Sequence, residues 1–267
     1  MPSNEEKQIT KKNLDAHLYM LAKEIKKSYH PKSTIEIVMV GGAAILANYT
    51  FRASTYDIDA LMQETSIVKE AANRVADKFN LPTGWVNSDF VHTSSYSPNL
   101  VLHSRYYKTF CHCLSVRTVA DEYLIAMKLE SGRKYKNDRS DIVGILSEQK
   151  NKENPITLEK VKRAYSDLYG SWDQLEEQSK AFIEELFAEG LDQSNSDYQA
   201  LRANEAKTKE ALKQFETNCP GALNENNIDD ILAITGFGND TGLEEHVQEE
   251  QSSLVEELWE DEEEFDL

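Results

Sequence analysis

Asp57 and Asp59 are the two residues whose types and spacing most clearly allow chemistry, because they flank one apolar residue in a segment that predicts a β-strand, residues 57–62. Side chains alternate along a strand, so both carboxylates share one face, with their roots about 6–7 Å apart. Neighbouring carboxylates repel and raise each other's pKa unless a cation lies between them. Mg²⁺ or Mn²⁺ prefers such oxygen ligands and leaves positions for water and phosphate. The pair therefore predicts a metal site.

A glycine pair, Gly41 and Gly42, stands between an apolar run that predicts a strand, residues 35–40, and a short predicted helix, residues 43–49. Glycine lets the backbone approach a ligand closely, and the first N–H groups of a helix favour an anion. The segment therefore predicts a phosphate-binding turn beside the metal site. The alternative is a structural turn followed by a strand with two solvated acids.

Gly41-Gly42, Arg52-Ala-Ser-Thr and Asp57-Ile-Asp59, in this order, resemble the signature of the nucleotidyltransferase superfamily typified by DNA polymerase beta. More narrowly, they resemble the branch of AbiEii-type toxins of bacterial type IV toxin–antitoxin systems. The resemblance implies an NTP substrate. In that case the triphosphate contacts would come from a small set of residues: Gly41, Gly42, Arg52 and Ser54.

The superfamily often completes its metal site with a third carboxylate on a later strand. Asp89, within the strand predicted at residues 85–91, is the candidate here. It could equally be a turn or strand-end aspartate, in which case Asp57 and Asp59 would work as a pair.

A second motif lies within residues 118–146, where two helices are predicted around a charged break. Lys128, Arg133, Asp138 and Asp141 resemble the later motif of the same toxin-like branch, in which these side chains flank the nucleotide. Lysine offers a mobile point charge to a triphosphate and arginine can fork onto two oxygens. The two aspartates, three residues apart on a helix, could orient those cations or the substrate hydroxyl. Without the first motif, the same series would indicate surface salt bridges.

Three strands are predicted at residues 85–91, 99–103 and 109–116. The last contains Cys111-His112-Cys113. On a strand the two cysteines would face away from the histidine, so the three could not converge on one metal ion. The pattern therefore favours packing.

The alternation of helical and strand patterns predicts an α/β or α+β protein. The resemblance implies the α+β form, with a mixed sheet of nucleotidyltransferase type, flanked by helices and followed by a helical C-terminal subdomain. We expect a core at residues 1–150, helices at 151–238 and an acidic tail at 239–267. The helix predicted at residues 9–29 has one apolar stripe for packing against the sheet.

The net charge of −18 is concentrated at the end of the chain, where 13 acidic residues and no Lys or Arg follow Gly238. This composition predicts a disordered tail. A short amphipathic helix covering a basic groove or binding a partner is the alternative. No signal core, membrane span or disulfide framework is recognisable in the sequence, which predicts a cytoplasmic protein with no membrane partner.

The predicted reaction is transfer of a nucleoside monophosphate from an NTP to a hydroxyl, with Asp57, Asp59 and Lys128 as catalytic residues. The resemblance implies a tRNA 3′ end or a protein side chain as acceptor and a cognate antitoxin as partner. A catalytically silent nucleotide- or partner-binding protein on the same fold is one alternative. An aminoglycoside-type adenylyltransferase, suited to an acidic cleft, is another.

Overall fold

The computed structural model describes residues 8–150, 152–188, 194–224 and 227–234. Within these ranges the chain forms seven strands and nine α-helices. The strands are β1 (Ile9–Thr10), β2 (Ile35–Met39), β3 (Ser54–Thr55), β4 (Ile58–Met62), β5 (Val86–Asn87), β6 (Ser104–Phe110) and β7 (Leu114–Val119). The helices are α1 (Leu14–Tyr29), α2 (Gly41–Asn48), α3 (Thr65–Phe79), α4 (Asp121–Ser131), α5 (Asp138–Gln149), α6 (Leu158–Tyr169), α7 (Glu177–Ala188), α8 (Ser194–Asn218) and α9 (Ile228–Ile234).

A mixed five-stranded sheet forms the centre of the fold, in the order β5-β4-β2-β7-β6. Strand β2 pairs in parallel with β7 and antiparallel with β4. The carboxyl ends of β2 and β7 and the amino end of β4 therefore lie at one edge of the sheet. The predicted α+β fold, with a mixed sheet flanked by helices, is confirmed.

The helices cover the sheet with the apolar faces that their spacing predicts. In α1, the stripe residues Leu18, Leu21 and Ile25 are fully buried, and this helix packs against α3. Helix α4 packs against α5 and α6. Thr157 caps α6 as predicted, its hydroxyl accepting from the Lys160 N–H.

The predicted strands after residue 84 are corrected by the structure. Only Val86–Asn87 pairs as a strand, and a 3₁₀ helix follows at Asp89–His92. Residues 98–101 form another 3₁₀ helix, begun by a proline, in place of the strand predicted at 99–103. The strand predicted at 109–116 is a hairpin, because its cysteine and histidine segment forms the turn between β6 and β7.

Alternation along a strand is not the reason why Cys111, His112 and Cys113 do not form a metal site, because this segment is a hairpin turn. Cys111 and His112 have φ values of 51° and 56°, so they occupy the turn and do not alternate along a strand. Cys113 is buried, and its thiol donates to the Ala22 carbonyl oxygen at 3.3 Å. The packing role predicted for this cysteine agrees with its position.

The described part of the chain divides into two compact units, one within residues 8–133 and 138–199 and the other within residues 134–137 and 200–234. The second unit has its own small core of Leu212, Ile231 and Leu232. Helix α9 lies where only turns are predicted from the sequence. The acidic tail lies outside the described residues, and the domain boundaries at 150 and 238 stay predictions. None of the described helices combines the length and apolar character that crossing a bilayer requires.

Candidate active site

The glycine pair and the Asp57-x-Asp59 segment meet at one edge of the sheet. The Val40 N–H donates to the Asp59 carbonyl oxygen at 2.9 Å, which aligns the end of β2 with the start of β4. Gly41 has a φ of +53°, a conformation that costs other residues energy. A Cβ atom at Gly41 would lie 3.9 Å from Asp59 Oδ2. The turn therefore brings backbone, with no intervening side chain, beside the carboxylate.

Helix α2 begins at Gly41, directly after Val40. The first N–H groups of an α-helix have no acceptor within the helix, and Val40 has no polar side chain to cap them. Together with the helix dipole, these groups make the start of α2 suitable for an anion.

Arg52 lies against the second glycine. A Cβ atom at Gly42 would lie 2.7 Å from Arg52 Nη2 and 2.8 Å from Thr55 Oγ1, closer than any real Cβ contact. Glycine is therefore required at this position if the guanidinium is to stay where it is. The Arg52 Nε–H donates to the Ser54 carbonyl oxygen at 3.2 Å. The predicted cation thus lies beside the predicted phosphate-binding turn.

Asn87 is the polar neighbour of the acidic pair on the adjacent strand. It is the register partner of Asp59, and its Nδ2 lies 3.5 Å from Asp57 Oδ2, at the outer limit for a hydrogen bond. Its Oδ1 accepts from the Asp89 N–H at 2.8 Å. Asp89 itself is exposed on the 3₁₀ helix.

The donor set at this edge fits a hard divalent cation held by two carboxylates. Asp57 and Asp59 are half-buried, whereas Ile58 between them is fully buried, which is the alternation expected of a shared face. Among the residues that the structure describes, no group of three or more Asp, Glu, His or Cys side chains is placed to hold a metal ion. The metal-binding role of Asp89 stays a prediction.

The second motif folds into a buried network of charges. Lys128 Nζ lies 2.9 Å from Asp138 Oδ1 and 2.8 Å from Asp141 Oδ2. Arg133 Nε donates to Asp138 Oδ2 at 3.0 Å, and Arg52 Nη1 donates to Asp141 Oδ2. The Lys128, Asp138 and Asp141 side chains are 9%, 2% and 1% exposed. The network joins the second motif to Arg52 at the glycine turn.

Burial and neighbouring charges act against each other within this network. Burial raises the pKa of Asp138, but Lys128 and Arg133 outweigh it and lower the pKa to about 2. Burial lowers the pKa of Lys128, and the charges of Asp138 and Asp141 outweigh it, so the pKa is raised. The Lys128 ammonium is therefore charged and held by two carboxylates.

The structure brings several of the predicted site residues together. The side chain of one of them, Ser54, binds a residue outside this group. Gly41, Gly42, Arg52 and the acidic pair share the edge, as the motif spacing predicts. The Ser54 hydroxyl donates to Gln8 Oε1 at 2.8 Å, beside the pairing of β3 with β1. The individual roles of the site residues stay predictions.

Asn87 and Thr55 are site neighbours that the sequence pattern did not single out. Asn87 lies two positions before Asp89. The register of the two-residue strand β5 against β4 places it opposite Asp59. Thr55 lies within the Arg-Ala-Ser-Thr segment, but its contact with the glycine depends on the fold of that loop.

Residues 16–183, more than half of the chain, match the family described as "Nucleotidyltransferase of unknown function (DUF6036)". The chain belongs to this family. Neither a curated protein nor a solved structure matches the chain.

The matched range of this nucleotidyltransferase family includes the glycine turn, the acidic pair and the whole buried network. Membership implies that the protein binds an NTP. The superfamily expected from the first motif is confirmed at this level, and the narrower AbiEii-type branch stays a prediction.

Proposed function

We propose that this protein transfers a nucleoside monophosphate from an NTP to a hydroxyl group in a metal-dependent reaction that releases pyrophosphate. The observation that carries the proposal is the meeting of Gly41 with Asp59 at one sheet edge, where a suitable helix N-terminus lies beside two carboxylates. An anion site next to a cation site is the arrangement that a metal-bound triphosphate needs.

The residues of the chain have distinct roles in this proposal. The N–H groups of the glycine turn and the Arg52 guanidinium hold the triphosphate and offset the charge that develops on phosphoryl oxygens in the transition state. Lys128 stabilises this arrangement through Asp141, the carboxylate that it shares with Arg52. Asp57 and Asp59 would hold Mg²⁺, which when bound supplies charge neutralisation and a lower pKa for the attacking hydroxyl.

The acceptor is a tRNA 3′ end or a protein hydroxyl, as the resemblance implies. RNA binding depends on cations that can contact phosphates. Three surface cations that could contact RNA each form an ion pair with an aspartate. The pairs are Arg105 with Asp121, Lys108 with Asp15 and Arg133 with Asp138. This pairing favours an acceptor that needs few phosphate contacts.

The test is incubation of purified protein with each α-labelled NTP, Mg²⁺ and cell extract, beside an Asp57→Asn/Asp59→Asn variant that keeps side-chain size. We expect label on RNA or protein with the wild type alone, and the labelled species identifies the acceptor. Equal labelling by the variant would refute the assigned carboxylates. Growth arrest on expression of the wild type, relieved in the variant, would support the role of a type IV toxin.

A catalytically silent nucleotide-binding protein is the second candidate. The observation that favours it is the amide of Asn87 opposite Asp59, on the neighbouring strand where a third carboxylate would complete the metal site. Nucleotide binding without Mg²⁺-dependent pyrophosphate release in the presence of extract would support this candidate. The Asn87→Asp variant would then be expected to bind Mg²⁺ more tightly, because it adds a third carboxylate.

A further inference from the structure

Three residues on one face of α5 contact three consecutive residues of the loop between α2 and β3. Asp141, Gly144 and Glu148 are spaced by three and four residues, so they share one face of the helix. Glu148 contacts Thr50, and the chain then continues towards Asp141. Glu148 and Asp141 are about 10 Å apart along the helix axis, and the loop follows this face from Thr50 at Glu148 to Arg52 at Asp141.

Glu148 holds the start of this loop. Its Oε1 accepts from the Thr50 N–H at 2.8 Å, the Thr50 hydroxyl at 2.6 Å and the Phe51 N–H at 3.0 Å. A carboxylate that accepts several hydrogen bonds stabilises its donors more strongly than a neutral acceptor does. The backbone immediately before Arg52 is therefore fixed to the last turn of α5.

Gly144 allows the middle of the loop to reach the helix. A Cβ atom at this position would lie 2.5 Å from Phe51 Cε2 and 2.6 Å from Phe51 Cδ2. The ring also packs against Tyr49 and Tyr198, with centroids 5.6 Å and 5.5 Å away. With aromatic rings on other sides, Phe51 has little freedom to yield to a new methyl group. The glycine is thus a condition for the position of Phe51.

Asp141 completes the series by accepting from the Arg52 guanidinium. The guanidinium is the group that lies against Gly42 at the start of α2. The position of this cation consequently depends on contacts along about two turns of α5.

We propose that α5 fixes Arg52 beside the glycine turn, with Glu148 and Gly144 as positioning residues for its guanidinium. Their importance for nucleotide binding rests on the proposed function. Glu148 binds Thr50 and Phe51, and Gly144 lies against the Phe51 ring, so each acts on Arg52 through the loop.

The first test compares Glu148→Ala with Glu148→Gln, which keeps an oxygen acceptor, and with Glu185→Ala, which removes an exposed glutamate from α7. Amide exchange of Thr50 and Phe51 and of the Arg52 Nε–H is followed by NMR. Affinity for a non-hydrolysable NTP with Mg²⁺ is measured by calorimetry. We expect Glu148→Ala to speed exchange at all three groups and to weaken the affinity about tenfold. The Gln variant should fall between Glu148→Ala and the wild type, and the Glu185 control should stay within about twofold of the wild type.

The second test is a double-mutant cycle. Gly144→Ala should weaken nucleotide binding in the wild-type background, because the methyl group displaces Phe51. In a Phe51→Ala background the same change should have no further effect, since the obstructing ring is gone.

Unchanged exchange at Arg52 in Glu148→Ala would overturn the proposal, and so would faster exchange with unchanged affinity. A wild type that binds no NTP would refute the proposed function and the nucleotide-binding importance of the two residues. The exchange readout would still decide whether α5 fixes Arg52, so the two failures are distinguishable.

Discussion

Replacement of Lys128 by methionine should strongly destabilise the fold at neutral pH. Methionine keeps most of the length and the apolar character of the lysine stem but removes the charge that lies between Asp138 and Asp141. Both carboxylates are almost fully buried, and removal of one partner from a buried ion pair typically costs about 3–5 kcal/mol. We therefore expect a loss of this size in the free energy of unfolding.

The same reasoning predicts how the loss depends on pH. The pKa of Asp138 falls from 3.8 to about 2 on folding, which corresponds to about 2 kcal/mol of stability at neutral pH. Because the folded-state pKa is the lower one, this contribution is present above pH 4 and is lost as the pH falls towards 2. Without Lys128 the pKa of Asp138 in the folded protein is higher. The variant therefore loses less free energy of unfolding than the wild type as the pH falls. The stability difference between the two proteins should shrink between pH 4 and pH 2.

The assay is urea unfolding of the wild type and Lys128→Met across this pH range. Lys162→Met is the matched control, because Lys162 makes an exposed pair with Glu184 and such pairs contribute at most about 1 kcal/mol. If Lys128→Met does not fold at pH 7, Asp138→Asn provides the smaller perturbation. A cost below about 1 kcal/mol, or a difference that does not change with pH, would refute the assignment of a buried network.

Three further predictions concern the turn, the metal and a helix cap. Gly42→Ala should lower the free energy of unfolding by about 1–3 kcal/mol, because the methyl group meets Arg52 and Thr55 and displaces the guanidinium from Asp141. It should also weaken NTP affinity about tenfold in calorimetry, because the guanidinium is displaced; unchanged affinity would remove Arg52 from the site. Chelation of Mg²⁺ should abolish NTP binding measured by fluorescence, and full retention would contradict a metal held by Asp57 and Asp59. Thr157→Ala should lower the free energy of unfolding by about 1 kcal/mol through loss of the α6 cap, with NTP affinity unchanged.

The convergence of the first motif could be predicted from the sequence because it depends on local chemistry. A strand, two glycines, a helix and an alternating acidic strand determine most of the geometry between residues 35 and 62. The glycine turn at Gly41 and the alternation of burial around Ile58 agree with that pattern. The mixed sheet is what the resemblance to nucleotidyltransferases implies.

The edge partners of this motif could not be predicted, because they depend on register between distant segments. Asn87 lies opposite Asp59 through a strand of two residues, too short to give a periodic signal. Glu148 contacts Thr50 from 98 residues away along the chain. The residues that share a face of α5 follow from their spacing, but the loop that this face contacts does not.

The second motif shows how one pattern supports a structural and a functional interpretation together. Its residues form the salt bridges that the series alone would indicate, yet they are buried and reach Arg52. The resemblance to the toxin-like motif identified the members Lys128, Asp138 and Asp141. Burial determines how strongly the loss of one of these charges would affect stability. It is seen only in the three-dimensional structure.

The most direct test of the nucleotide site at the sheet edge is a titration of the purified protein with Mn²⁺ and NTP, followed by electron paramagnetic resonance. We predict that the wild type binds Mn²⁺–NTP and that Asp57→Asn/Asp59→Asn loses this binding. Asp77→Asn, an exposed aspartate on α3, should bind as the wild type does. Selective loss in the double variant is the result that a metal held by Asp57 and Asp59 requires, whereas equal binding by all three proteins would contradict the site.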